Sequence, residues 1–123
     1  MVQHFERVLF TGGRSPATLA LLRLFAAQGT RCYIAESMSA NLAGASRFCQ
    51  KNLLLPPPAQ ETDAFISALE TYIQQYKIQL LIPTCEEVFY ISRWKHQLEK
   101  LCEVFTSSID VLTNLHSKYQ FVQ

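Results

Sequence analysis

Glycines and a basic residue stand together near the start of the chain, in a pattern that could hold a ligand. Gly12, Gly13 and Arg14 follow a short apolar run, and Ser15 and Pro16 come directly after them. Glycines let the backbone turn sharply and approach a ligand, and a helix that begins behind such a turn points its N–H groups at an anion. The segment therefore predicts a ligand-binding turn, with an ordinary strand-to-helix turn as the alternative.

Two consecutive carboxylates form the second candidate. Glu86 and Glu87 follow the apolar run that ends at Pro83, and together they could bind a cationic or amine-bearing substrate. Thr84 and Glu87 also have the spacing of a helix capping box, in which the acid accepts a backbone N–H. Glu87 is thus predicted to have a structural role, which leaves Glu86 as the stronger candidate for substrate contact.

A dinucleotide site is an alternative interpretation of the glycine turn. In the fingerprint G-x-G-x-x-G/A counted from Gly12, Ala17 fits, but Arg14 occupies the position where glycine lets a pyrophosphate approach. Glu36 lies at the end of the next predicted strand, where an acid commonly binds ribose. A small Rossmann-type nucleotide or NAD(P)-binding module therefore stays open as an alternative function.

The four cysteines indicate neither a metal site nor a catalytic site. No C-x-x-C pair and no zinc-ligand spacing with histidine occurs among them; they are Cys32, Cys49, Cys85 and Cys102. Cys85 has no histidine near it in the sequence that could activate it as a nucleophile. We therefore predict reduced, mostly buried thiols, as is typical of a cytoplasmic protein, with no metal ligand and no catalytic residue.

An alternation of apolar runs and helical patterns must position these residues. Strands are predicted at residues 8–11, 31–35, 53–55, 78–82 and 101–105, and helices at 16–28, about 62–76, 85–94 and from 107 onward. Ser15 is predicted to cap the first helix, and Gly29 to end it. Residues 36–51 are small and polar and predict a loop with at most a short helix. The alternation predicts an α/β fold: an open, mostly parallel four- to five-stranded sheet with helices on both faces. Ligands bind beyond the carboxyl ends of such strands, and both candidate segments follow a strand.

Aromatic residues of the third predicted helix are assigned to the core. Phe89, Tyr90 and Trp94 recur with Val88 and Ile91 at helical spacing. This pattern predicts packing against the sheet rather than an exposed platform on which a ligand could stack.

The bulk composition excludes several classes of function. The chain has 123 residues, of which 49% are hydrophobic and 17% charged, as expected for one globular domain. Its net charge of +1 argues against nucleic acid or an anionic membrane as a partner. No apolar stretch reaches the roughly 20 residues that a membrane helix needs. We therefore expect a small-molecule ligand. The other alternative is a non-catalytic interaction domain that pairs through apolar surface, for example as a homodimer.

Three segments of the chain stand in a recognisable order and spacing. They are residues 8–25 with the glycine turn, residues 80–90 with the two carboxylates, and residues 115–121. Together they resemble the start of ATP-grasp proteins of the carbamoyl-phosphate-synthase-like type, over almost the whole chain. The resemblance implies a Rossmann-like, pre-ATP-grasp domain over residues 1–114, with residues 115–123 beginning the connection to an ATP-grasp domain beyond them.

The resemblance also implies a function and a set of site residues. In this family the whole enzyme activates a carboxylate as an acyl phosphate, using ATP and magnesium, and joins it to an amine or another nucleophile. Its first domain supplies part of the substrate site from the strand-end loops. The corresponding residues in this chain are Gly12, Gly13, Arg14, Glu86 and Glu87.

By the same resemblance, Lys118 matches a basic residue that contacts ATP phosphates. The magnesium ligands and the rest of the ATP site belong to parts of the enzyme that this sequence does not contain. The resemblance thus implies a ligase whose ATP-grasp domain is the partner of this one, and residues 1–123 are expected to be inactive and to bind no cofactor alone.

Overall fold

The computed structural model of the chain describes residues 5–84 and 87–104, which contain a five-stranded parallel sheet. In chain order the strands are β1 (Arg7–Thr11), β2 (Arg31–Glu36), β3 (Cys49–Leu54), β4 (Leu80–Ile82) and β5 (Glu103–Val104). Their order across the sheet is β3-β2-β1-β4-β5, and every neighbouring pair is parallel. The predicted open, parallel α/β sheet is confirmed.

The order of the strands reverses beside β1. The chain proceeds outward from β1 through β2 to β3, and then crosses to the other side of β1 for β4 and β5. The register pairs Thr11 with Ala35 of β2, and Phe10 with Ile82 of β4. A reversal of this kind opens a crevice at the carboxyl ends of the strands, which is where open α/β sheets bind ligands.

The described part of the chain has four helices, which cover both faces of the sheet. They are α1 (Pro16–Ala27), α2 (Thr62–Gln75), α3 (Val88–Arg93) and α4 (Lys95–Leu98). On one face, Phe25 of α1 packs with Phe10 of β1. On the other face, Leu69 of α2 and Ile91 of α3 pack with Leu9. Because successive strand residues point to opposite faces, neighbouring residues of β1 enter two separate cores.

Local signals in the sequence set both ends of α1. The Ser15 hydroxyl accepts a hydrogen bond from the Ala17 N–H at 3.1 Å, and Pro16 occupies the first helical position. Gly29 follows the helix with φ +87°, a conformation that suits glycine. The predicted helix is confirmed: it begins at Pro16, as expected, and ends at Ala27, one residue earlier than expected.

The third strand differs from the prediction, which placed a loop through residue 51 and a brief strand at 53–55. β3 begins at Cys49, four residues before the apolar triplet. It lies at the edge of the sheet, and Gln50, Lys51 and Asn52 are exposed. An edge strand needs little apolar surface and tolerates charge, so its sequence resembles that of a loop.

The later elements are shorter than predicted. The helix expected at 85–94 corresponds to α3, which ends at Arg93, and a separate short helix, α4, follows it. β4 and β5 have three and two residues. Residues 85 and 86, the helix predicted from 107 and the predicted connection over 115–123 lie outside the described residues.

Candidate functional site

A cleft of about 490 Å³ opens at the carboxyl ends of β1 and β2. Its volume falls in the range of small-molecule sites, about 300–1,000 Å³. The strand ends contribute Thr11, Gly12, Arg14, Ala35, Glu36 and Ser37. The remaining walls come from the segment that follows β3, from α2, and from Glu87 and α3. A cavity therefore lies at the edge of the sheet where we predicted ligand binding.

Gly12 forms the sharp turn from β1 into the cleft edge. Its φ is +76°, which other L-residues rarely adopt. The Gly12 carbonyl accepts hydrogen bonds from the Thr18 hydroxyl at 2.7 Å and from the Ser15 N–H at 3.1 Å. The Thr84 hydroxyl, 2.5 Å from that of Thr18, donates to the Thr11 carbonyl at 2.8 Å. Two threonine hydroxyls thus link the turn to the end of β4.

The N-terminus of α1 has most of its first-turn donors occupied by the chain itself. Pro16 has no N–H, the Ala17 N–H is bound by the Ser15 hydroxyl, and the Thr18 N–H donates to the Ser15 carbonyl at 3.1 Å. An anion here would compete with these internal bonds. The expectation that the helix offers N–H groups to an anion is therefore wrong for these positions.

Gly13 does not line the cleft. A Cβ added at Gly13 would lie 2.3 Å from Asn41 Oδ1 and 2.9 Å from Ile34 Cγ2. The Gly13 carbonyl also accepts the Ala43 N–H at 2.8 Å. Gly13 thus allows the loop after β2 to pack against the turn, and its predicted contact with substrate stays a prediction.

Asn41 and Asn52 hold that loop in place, and sequence analysis did not single them out. The Asn41 side chain accepts the Gly44 N–H at 2.7 Å and donates to Met38 O at 2.9 Å and to Asn52 Oδ1 at 3.2 Å. Asn52 in turn donates to Ser39 O at 2.7 Å. Asn41 is 7% exposed, so buried side-chain hydrogen bonds, rather than apolar packing, hold this loop.

Arg14 reaches across the cleft edge to Glu36. Its Nε lies 3.3 Å from Glu36 Oε1, and the Arg14 side chain is 51% exposed whereas that of Glu36 is 5% exposed. The other Glu36 oxygen accepts the Ser37 N–H at 2.8 Å. Among the described residues Glu36 is the one partner of the guanidinium, so Arg14 can turn its exposed side to an anionic ligand. A ribose at Glu36 would have to compete with both contacts.

Glu87 is buried, and its carboxylate points back toward the strand ends. Glu87 Oε2 accepts hydrogen bonds from the Thr11 hydroxyl at 2.8 Å and from the Thr84 N–H at 3.3 Å. The second contact is the one that the capping-box spacing predicts. Glu87 therefore connects the start of α3 to β1, besides lining the cleft.

One side of α3 faces the cleft through Phe89, Tyr90 and Arg93. Val88 and Ile91 point into the core, as predicted, and Tyr90 packs against it in part. Phe89 is 71% exposed, so the prediction of core packing is wrong for that residue. The helical spacing was real, but it did not reveal that a cleft lies beside this helix.

The remaining wall of the cleft is mainly apolar. It consists of side chains from the segment after β3 and from the first turns of α2: Leu55, Pro57, Pro58, Ala59, Gln60 and Phe65. Leu55 and Phe65 are buried, with 3% and 2% exposure. Pro57 and Pro58 thus form part of the cleft wall.

Several predicted residues fall outside the described part of the chain, namely Glu86, Lys118 and Cys85. Of the remaining thiols, burial raises the pKa of Cys32 and of Cys102 to about 12, and it also raises the pKa of Cys49. Across residues 5–84 and 87–104 no group of three metal-ligating side chains occurs, and no helix is long and apolar enough to cross a membrane.

A comparison with protein-family profiles finds no match for this chain. Among solved structures, the chain is similar to glycinamide-RNase-transformylase T from Mycobacterium tuberculosis, with a TM-score of 0.59 and 14% sequence identity. The match covers 92% of this chain and 35% of that one, so the present chain spans about a third of the neighbour's length. That neighbour is an ATP-grasp enzyme. At this identity the likeness establishes a shared fold, and it confirms the predicted Rossmann-like architecture.

Proposed function

We propose that this chain is the N-terminal, substrate-site domain of an ATP-grasp enzyme that ligates a carboxylate to an amine or thiol. The observation that carries the proposal is the cleft at the strand ends, to which Gly12, Arg14 and Glu87 all contribute. The three resembling segments and the fold shared with an ATP-grasp enzyme support it.

The proposed division of labour follows from the charges in the cleft. Arg14 offers a half-exposed guanidinium, which suits a carboxylate or phosphate of the substrate. Glu36 and Glu87 already accept hydrogen bonds from the chain, so their main effect is to hold the cleft walls together. Glu86 remains the candidate for an amine-bearing partner. ATP and magnesium would be bound by the rest of the same polypeptide, with Lys118 as this chain's contribution to the phosphates.

The internal bonds of the glycine turn argue against the NAD(P) alternative. A dinucleotide pyrophosphate is normally bound by N–H groups of the first helical turn and by a glycine at the Arg14 position. Here the N–H groups of Ala17 and Thr18 are bound to Ser15. We therefore expect no tight NAD(P) binding.

The proposal is tested by comparing residues 1–123 with the longer gene product that contains them. We expect magnesium-dependent phosphate release from ATP by the longer protein alone, and no micromolar binding of NAD or NADP to either in a calorimetric titration. In the longer protein, Arg14→Gln is expected to raise the KM for the acid substrate. Arg23→Gln removes an equal charge from an exposed position on α1 outside the cleft and serves as the control. Sustained ATP turnover by residues 1–123 alone would refute the proposal.

A further inference from the structure

The side of α3 that faces the cleft combines a flat apolar group with a cation. Phe89 and Arg93 are four residues apart, so they lie on the same face of the helix, one turn from each other. Both line the cleft. Phe89 leaves 71% of its surface exposed, although it stands beside a sheet whose two cores are closely packed.

Arg93 differs from the other charged residues described in the cleft. Glu36 is bound by Arg14 and Ser37, and Glu87 by Thr11. Within residues 5–84 and 87–104, Arg93 has neither an ion pair nor a side-chain hydrogen bond. It is also exposed, so its guanidinium can bind an incoming anion without giving up an internal partner.

The lining of the cleft also has an apolar part. Leu55, Pro57 and Phe65 belong to it, and Pro57 is the exposed one of the three. A ligand in the cleft would thus contact apolar groups as well as a guanidinium. Aromatic rings favour stacked or edge-on contact with flat groups, and a guanidinium binds carboxylate or phosphate through paired N–H donors.

We propose that the cleft selects a small organic anion with a flat apolar group beside its carboxylate or phosphate, held by Arg93 and stacked on Phe89. This specificity rests on the proposed function, because it names the substrate class of the same cleft. Arg93 is the anchor of the anion, and Phe89 recognises the group that carries it. Arg14 remains paired with Glu36, so its half-exposed guanidinium is a secondary contact for the anion.

Four probes separate the two contributions when each is titrated into ¹⁵N-labelled residues 1–123 and followed by amide chemical shifts. Phenylacetate carries both features, phenylacetamide lacks the charge, acetate lacks the ring, and phenyl phosphate exchanges the anion. We expect phenylacetate or phenyl phosphate to bind at least ~10-fold more tightly than phenylacetamide, the range of a charge-assisted hydrogen bond. The tighter of the two anions identifies the preferred group.

Two exposed substitutions test the assignment of residues. Arg93→Gln should remove most of the preference for the anion over the amide, and Phe89→Ala should abolish the preference for phenylacetate over acetate. Arg23→Gln, outside the cleft, should change neither. Since both cleft positions are exposed, the amide spectrum should otherwise remain that of the folded chain.

The proposal is overturned if phenylacetamide binds as tightly as both phenylacetate and phenyl phosphate, or if no probe shifts cleft residues up to its solubility limit. It is also overturned if the anion preference survives Arg93→Gln but is lost in Arg14→Gln. The probes contain neither a nucleotide nor an activated acyl group. Their binding therefore fails or succeeds separately from the ATP-turnover experiment that tests the proposed function.

Discussion

Replacing Gly13 by alanine tests whether that glycine serves packing or ligand approach. Its φ lies outside the left-handed region, so alanine could adopt the backbone conformation without strain. In open space such a replacement would stabilise the fold by about 0.4–1 kcal/mol, because alanine restricts the unfolded chain. The sign of the change in unfolding free energy is therefore informative.

The structure predicts the opposite sign, because the new Cβ would lie 2.3 Å from Asn41 Oδ1. Asn41 must then move, which weakens its bonds to the Gly44 N–H and to Met38 O, 2.7 and 2.9 Å long. Two neutral hydrogen bonds at about 0.5–1.5 kcal/mol each give a loss of roughly 1–3 kcal/mol. After the gain from alanine, we expect Gly13→Ala to destabilise the chain by roughly 0–2.5 kcal/mol, with a centre at ~1.3 kcal/mol.

Urea unfolding followed by circular dichroism measures this change, and a second background identifies its cause. With Asn41→Ala already present, the overlapping oxygen is gone, so Gly13→Ala should cost at least ~1 kcal/mol less than in the natural sequence. Gly29→Ala is the control: its Cβ would meet no atom within 4 Å, and its φ of +87° costs the same in both backgrounds. A stabilising Gly13→Ala, or an equal cost in both backgrounds, would refute the packing role.

Two further predictions concern the hydrogen bond that joins the start of α3 to β1 and the buried thiols. Thr11→Val removes the hydroxyl that donates to the buried Glu87 carboxylate, so it should lower the unfolding free energy by about 1.5–3 kcal/mol. The control, Thr71→Val at an exposed position, should change the unfolding free energy by no more than ~0.5 kcal/mol. Equal effects of the two variants in urea unfolding would contradict the role of the Thr11–Glu87 hydrogen bond. Because burial raises the pKa of Cys32 and Cys102 to about 12, their thiolate fractions at pH 8 are about 1,000-fold below those in the unfolded chain. Iodoacetamide should therefore label both slowly in the folded chain, with a rate that rises with pH, and fast labelling by peptide mass spectrometry would contradict this.

Where local chemistry decides a structure, the sequence was sufficient. The Ser15 cap, Pro16 and Gly29 set the ends of α1 through contacts within a few residues, so the prediction agreed with the structure to one residue. The strands β1 and β2 are buried on both faces of the sheet, and their apolar runs were predicted as strands equally well.

The predictions that failed concern residues whose structure depends on neighbours distant in the chain. β3 is strand because it pairs with β2, although Lys51 and Asn52 are exposed and polar. Gly13 is packed by Asn41, which comes 28 residues later. Phe89 shares the helical spacing of core residues, yet the position of the cleft decides that it is exposed. Periodicity predicts which side of a helix is apolar, but it does not say where the covering surface ends.

The central claim is that residues 1–123 form the substrate-site domain of a larger ATP-grasp enzyme. The most direct measurement is peptide mass spectrometry of the natural protein, isolated from its source with an antibody against this domain. The account predicts a polypeptide about three times as long, to judge from the 35% coverage of the solved neighbour, with peptides that follow Gln123. A natural protein that ends at Gln123 would contradict it.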